Sequence, residues 1–357
     1  MNALANLLVI DVSSVLAGPS VGTFFAELGA TVIKLENALT GGDVTRTWKL
    51  CSENEETPVS AYYASVNYKK DIRACDLGSS EGQTELDALL QNADVLIQNF
   101  KAGDLPKFNL QPELLQQRFP RLIHCHLSGF RSNPDRVAYD VILQAETGFM
   151  SMNGTPTSGP VKMPVALIDV LAAHQMKEAI LLALYKREHS GEGCYITATL
   201  EEAALSALTN QASNFLMEKH VAQPIGSQHP NIAPYGDSFR CADGKEILLA
   251  IGSDRQFAAF CLLIDEPALI HDERFASNEA RVRNREALNH ALEHGIRNFE
   301  ADHILSACLA QRIPAGAVLN VGEACSSAVA KDMVREEVIE GVCTKRLSSV
   351  AFRMQRF

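Results

Sequence analysis

Leu7-Leu8-Val9-Ile10-Asp11-Val12 leads through Gly18-Pro19 and an apolar run closing at Gly29 into Thr31-Val32-Ile33-Lys34-Leu35-Glu36. A short, mostly apolar run suits a strand buried on both faces. Proline is tolerated in a first helical turn and glycine at a C-cap, so the intervening stretch reads as a helix. Strand, helix and strand in this order make a βαβ unit. The alternation continues with strands over 72–77, 95–100 and 122–127 and helices over 81–92 and 112–119. The expected fold class is α/β, a doubly wound parallel sheet with helices on both faces.

Long helices are expected next, over 140–149, 169–189 and 201–217. Residues 223–234 are rich in Pro, Gly, Asn and His and read as a linker. A hairpin follows, 237–241 and 246–251 about Asp243-Gly244, then a helical stretch 254–311 and a strand 315–320. The expected organisation is a large domain over 1–217, an inserted smaller α+β domain with linkers over 218–312, and a return segment over 313–357.

Composition narrows the function. The chain has 357 residues, 46% hydrophobic and 21% charged, with a net charge of -11. That size buries a sizeable core, and the acidic balance argues against a nucleic-acid binder, which needs a basic surface. Nine scattered cysteines with no Cys-x-x-Cys pair fit free thiols in a reducing cytoplasm. No signal peptide or membrane-spanning run is evident, so no membrane partner is expected.

The candidate chemistry centres on Asp169, in Leu167-Ile168-Asp169-Val170 at the mouth of the long apolar helix. A carboxylate there meets unpaired N–H groups and the positive dipole end, so it is expected to be held ionised. On position alone a cap is the ordinary role for such an aspartate, and a nucleophile is the sharper one. Gly18-Pro19-x-x-Gly22 lacks the second glycine of a dinucleotide fingerprint. His124-Cys125-His126 puts both histidines on one strand face without a third ligand, so no metal is expected. Lys69, Lys70, Arg73, Lys101 and Lys107 fall where strand ends can gather them, and Lys101 directly follows the strand 95–100. Neither a Gly-x-Ser-x-Gly elbow nor a phosphate-binding Gly-x-x-x-x-Gly-Lys-Ser/Thr loop occurs.

Several segments together resemble the class III CoA-transferases, the CaiB/BaiF family. They are Leu8 to Pro19, Glu27 to Glu36, Gly42 to Arg46, Gln98 to Gly103, Arg121 to Phe130, Ala138 to Gln144, the Asp169 segment, His229 to Pro234 and Asp272 to Asn278, matching in order over roughly residues 5 to 350. The resemblance implies a Rossmann-like large domain that binds coenzyme A and an interlocked homodimer. It implies transfer of CoA from an acyl-CoA to a free carboxylic acid, with no tightly bound cofactor. Asp169 sits where the family carries its catalytic aspartate. Asn37, Cys75, Asp76, Leu77, Gly78, Asn99, Phe100, Lys101, Lys107, Val137, Ala138, Tyr139 and Asp140 fall where it contacts CoA, and Leu16 and Ala17 where it approaches the thioester. Lys101 and Lys107 are the expected phosphate partners.

The chain also departs from the family. The related α-methylacyl-CoA racemases carry His-Asp where Tyr139-Asp140 stands here, and a phenol is a weak base at neutral pH. Transfer is therefore expected over racemisation, with a non-catalytic CoA-binding homologue as the third reading. Ser14 replaces a side chain that is basic in many members. No glycine-rich loop occurs between Gly226 and Gly236. The return segment ending at Phe357 is expected to be shortened.

Overall fold

The structure, a computed structural model, describes residues 3–355. Met1, Asn2 and the last two residues of the expected return segment lie outside them. The chain divides into two compact units, one comprising the residues up to Gly154, Ser158–Pro224 and those from Val329 on, the other Thr155–Thr157 and Ile225–Ala328.

The first unit is built on a parallel sheet of β1 (Leu8–Asp11), β2 (Thr31–Asn37), β3 (Lys70–Cys75), β4 (Val95–Gln98), β5 (Ile123–Ser128) and β6 (Cys194–Thr199). The strand order is β3-β2-β1-β4-β5-β6, and every neighbouring pair is parallel. Successive residues of a strand point to opposite faces. Accordingly Val9 packs with Val21, Phe25, Ile168 and Met176 on one face, while Ile10 packs with Ile33, Leu86 and Leu115 on the other. Burial on both sides is why β1 is apolar from Leu8 to Ile10.

The helices of this unit are α1 (Ala17–Glu27), α2 (Ala61–Ala64), α3 (Ser80–Leu90), α4 (Pro112–Arg118), α5 (Asp140–Glu146), α6 (Phe149–Met152), α7 (Leu167–Ser190), α8 (Leu200–Ala207) and α9 (Thr209–Glu218). The 24-residue α7 closes at Gly191, whose φ of 74° is the left-handed C-cap. Two expected helices are shorter or divided. The first stops at Glu146, ahead of Gly148 at φ 91°, and the 201–217 stretch breaks where Thr209 takes φ 40°. The strand expected over 72–77 pairs over 70–75, from Val32 beside Lys70 to Asn37 beside Cys75, which frees Asp76 and Leu77 at its carboxyl end. Among the described residues no helix is long and apolar enough to cross a membrane.

The second unit has an antiparallel sheet of β7 (Tyr235–Arg240), β8 (Glu246–Ala250) and β9 (Ala315–Ala317). Helices α10 (Asp254–Leu263), α11 (Asn278–Arg283), α12 (Arg285–Ile296) and α13 (Ala301–Ala310) belong with it, and Phe239, Ile247, Phe260, Leu288 and Ile304 share its core. The expected boundaries shift. The unit begins at 225 rather than 218, and 313–328 stays with it because Ala315 and Ala317 pair with Leu249 and Ile247. The return therefore starts at Val329 and forms a hairpin, β10 (Val334–Ile339) and β11 (Val342–Leu347), absent from the sequence-based expectation. Its two-residue turn is Glu340-Gly341, with φ of 48° and 82°, as a tight hairpin turn requires.

Candidate active site

The strand order reverses between β1 and β4 while the strands stay parallel, so a crevice opens at their carboxyl ends. Three residues of the β1–α1 loop are pinned there. The Ser13 carbonyl accepts from Lys34 Nζ at 2.7 Å, and Asn99 brackets Ser14, accepting its N–H at 3.0 Å and donating to its carbonyl at 2.9 Å. The Val15 N–H donates to Asp43 Oδ2 at 3.1 Å, and Val15 sits at φ 71°, costly for a β-branched residue unless its surroundings enforce it. Lys34 and Asp43 are fully buried and 3.4 Å apart. Asp11 beneath them is buried, which raises a carboxyl group, yet Lys70 and Lys34 prevail and hold it below its ordinary value. Gly18 lies so close to the Ser13 side chain that any Cβ there would collide with it. The glycine thus serves close packing of α1 rather than a pyrophosphate. The N-cap Leu16 supplies no side-chain acceptor, leaving the N–H groups of Ala17 and Gly18 at the start of α1 without one among the described residues.

Two cavities flank this loop. One, of about 300 Å³, is lined by Leu16, Ala17, Asn99, Phe100, Lys101, Val137, Ala138, Tyr139 and Asp169 among others. The second, of about 510 Å³, is lined by Asn37, Cys75, Asp76 and Leu77 together with Lys34, Glu36, Asp43 and Phe108. Ser14 and Phe100 line both. Three expected residues lie outside either lining. Gly78 donates its N–H to Asp76 Oδ1 in a turn, Lys107 pairs with Asp104 at the surface, and Asp140 turns elsewhere. Burial pushes the Cys75 thiol up, so it is no ready thiolate.

Asp140 is the helix cap that Asp169 is not. Its Oδ1 accepts the N–H of Ile168 at 2.6 Å and, more loosely, that of Asp169 at 3.4 Å. The α7 N-terminus is thus satisfied by a carboxylate from α5, since its own N-cap Ala166 has none to offer. Asp169 is 9% exposed, and no hydrogen bond reaches its carboxylate among the described residues. Burial, then the Asp140 charge, raises its pKa from 3.8 to about 7. The expectation of a carboxylate held ionised by the helix end is corrected here, because Asp140 takes that end and desolvation dominates. Tyr62 of α2 feels the same charges; burial first, then Asp169 and Asp140, push its phenol up to about 12.

Sequence reasoning gave no site role to Lys34, Asp43 or Tyr62. A lysine between Ile33 and Leu35 in a buried strand was a signal for the first, and nothing in the sequence marked Tyr62. The two histidines of β5 are structural. His126 Nε2 donates to the Phe100 carbonyl at 2.9 Å, leaving Nδ1 to accept from the Tyr195 hydroxyl at 2.8 Å, and burial takes His124 down to about 3. Among the described residues no group of three or more His, Cys, Asp or Glu is arranged to hold a metal.

A parallel sheet of this order, with a crevice at the carboxyl ends of its central strands, has the architecture of ligand-binding α/β proteins. Comparison with known proteins is specific. The sequence profile of CoA-transferase family III matches residues 4–354. Succinate–glutarate CoA-transferase of Agrobacterium fabrum is 36% identical over 90% of this chain and 81% of its own. Acetyl-CoA:oxalate CoA-transferase of Acetobacter aceti is 33% identical over 89% and 81%. The crystal structure of a CaiB/BaiF family protein from Brucella suis superposes with a TM-score of 0.86 at 33% identity, covering 98% of this chain and 91% of that one. The chain belongs to CoA-transferase family III, the CaiB/BaiF family, and is a CoA-transferase.

Proposed function

We propose that the protein moves CoA from an acyl-CoA to a free carboxylic acid with Asp169 as the covalent nucleophile. The observation that carries this is a buried carboxylate, free of hydrogen bonds among the described residues, in the wall of the smaller cavity. An Asp169 oxygen attacks the thioester carbonyl, the C–S bond breaks, and a mixed anhydride and CoA thiolate result. The thiolate then attacks the Asp169 carbonyl carbon, releasing the donor acid and leaving an aspartyl-CoA thioester. The acceptor carboxylate repeats both steps in reverse and restores Asp169. The uncapped N–H groups at the start of α1 lie on the same cavity and suit the oxyanion that develops at each attack.

The larger cavity and its neighbour, which share Ser14 and Phe100 in their linings, take the nucleotide and thioester ends of CoA in this reading. Lys101, exposed at the rim of the smaller one, is the phosphate partner. An interlocked homodimer is proposed as well. Exposed Leu181, Leu182 and Tyr185 on α7 and Phe215, Leu216 and Met217 on α9 support it, being apolar side chains that a partner would cover. Nine free cysteines suit a cytoplasmic location.

The test follows CoA thioesters by mass spectrometry, using succinyl-CoA and acetyl-CoA with glutarate, mesaconate and oxalate, the acids named in relatives. Transfer is expected with at least one pair, absent in Asp169→Ala, and rising with pH through about 7 as Asp169 ionises. Full transfer by Asp169→Ala sinks the reading. Exchange of the α-proton without transfer would instead favour racemisation.

A further inference from the structure

We propose that Asp140 and Gln144 form a clamp that positions the nucleophile. They tie down the lead-in to α7 and occupy its end, which leaves the Asp169 carboxylate unbonded in the cavity. The inference rests on the reading of Asp169 as nucleophile.

Both residues lie on α5, four apart and so on one face. Gln144 is buried and spends its amide on the segment before α7. Its Oε1 accepts the Met163 N–H at 2.8 Å, while Nε2 donates to Asp140 Oδ2 at 2.5 Å and lies 3.3 Å and 3.4 Å from the Met163 and Val165 carbonyls. Asp140 Oδ1 then takes the N–H groups of Ile168 and Asp169. One amide and one carboxylate thus hold the chain at both ends of 163–169.

The chemical consequence comes from competition for the helix end. An unpartnered α7 N-terminus would draw in the nearest carboxylate, and Asp169 stands in its first turn. Bonded there, Asp169 would be a stabilised, weakly nucleophilic ion. Asp140 pre-empts that contact and adds a like charge, so Asp169 keeps a free and reactive carboxylate. The groups that face Asp169 are Asp140 from α5 and the neutral Tyr62 from α2, with Asp43 acting on Tyr62 in turn. In this reading Asp140 is a positioning residue.

The test compares the pH profiles of transfer for wild type, Asp140→Asn and Asp140→Ala, with amide hydrogen exchange of the 163–169 peptide as a readout independent of activity. The Asn variant keeps an acceptor oxygen and loses the charge. Its acid limb is expected to move down by about one pH unit, only part of the way because burial is the larger cause, with KM for acyl-CoA within about twofold. In the Ala variant kcat is expected to fall and peptide exchange to rise by about fivefold or more, the loss of a helix cap. An unmoved limb in a folded Asn variant overturns the clamp, as does a raised KM with kcat kept.

Should the Asn variant not fold, Gln144→Leu removes the tether without changing a charge. Faster exchange with a lower kcat at an unmoved limb supports the clamp, and unchanged exchange overturns it. Transfer retained in Asp169→Ala would defeat the nucleophile reading instead, while the exchange data would still judge the clamp.

Discussion

Asp169, the proposed nucleophile, should cost the protein stability, by an amount the structure sets. Asp169 has a pKa of about 7 in the fold against an ordinary 3.8, with burial as the first cause and Asp140 as the second. A carboxyl group whose folded pKa is raised keeps its full stability below the unfolded value. It loses that stability as pH rises, and the loss is complete once pH has passed the folded value. Three units at 1.36 kcal/mol each is ~4 kcal/mol of destabilisation above roughly pH 8. Asp169→Asn preserves shape and removes the titration. Urea unfolding of both proteins from about pH 4.5 to 8.5 should show the variant's advantage growing with pH by ~3 kcal/mol, while transfer is lost. Hydrogen exchange across α7 localises the gain. Parallel pH dependences for wild type and variant would refute the reasoning, since they would mean Asp169 ionises in the fold without penalty.

Two further substitutions probe what holds the site. Lys34→Met leaves the Asp43 charge and the Ser13 carbonyl without their buried ammonium, an expected loss of ~3–5 kcal/mol with a lower kcat as the Val15 turn loosens. Urea unfolding and single-turnover transfer measure the two effects, and a cost under about 1 kcal/mol, as for an exposed pair, would refute the assignment. Glu27 on α1 anchors the returning tail. It is buried against Arg346 and accepts from the Ser348 hydroxyl at 2.7 Å and from the N–H groups of Ser349 and Val350 at 3.1 Å and 3.0 Å. Burial alone would raise its carboxyl group, but Ser348 and Arg346 outweigh it and the pKa is lowered. This stability is therefore present above the ordinary 4.5 and lost as pH falls through the lower folded value. Glu27→Ala should speed limited proteolysis within 346–353 at neutral pH and make little difference in strong acid; equal cleavage rates at neutral pH would contradict it.

Most of the candidate site was legible through the family resemblance, and a smaller part through strand position. Lys101 was placed by its position after a strand, whereas Asn99, Phe100, Leu16 and Ala17 were expected from the family resemblance; in the structure all five follow the ends of β4 and β1 and line the crevice. Lys107 and Gly78 are near in sequence to such residues, yet their side chains or backbone are engaged locally, and nothing in spacing reveals that. The return hairpin escaped notice although Glu340-Gly341 marks its turn. Its strands alternate too weakly in polarity to stand out, and their pairing rather than their pattern defines them.

The sequence by itself determined the parallel sheet, since apolar runs of strand length separated by helical periods admit few other arrangements. It also determined that an aspartate stands in the first turn of the long helix. Only the tertiary structure decided what that aspartate is. A capping aspartate and a desolvated one have the same sequence surroundings, and the difference lies 29 residues away, where Asp140 takes the α7 N–H groups. Electrostatic character depends on distance and burial in space, and neither is written in the order of residues along the chain.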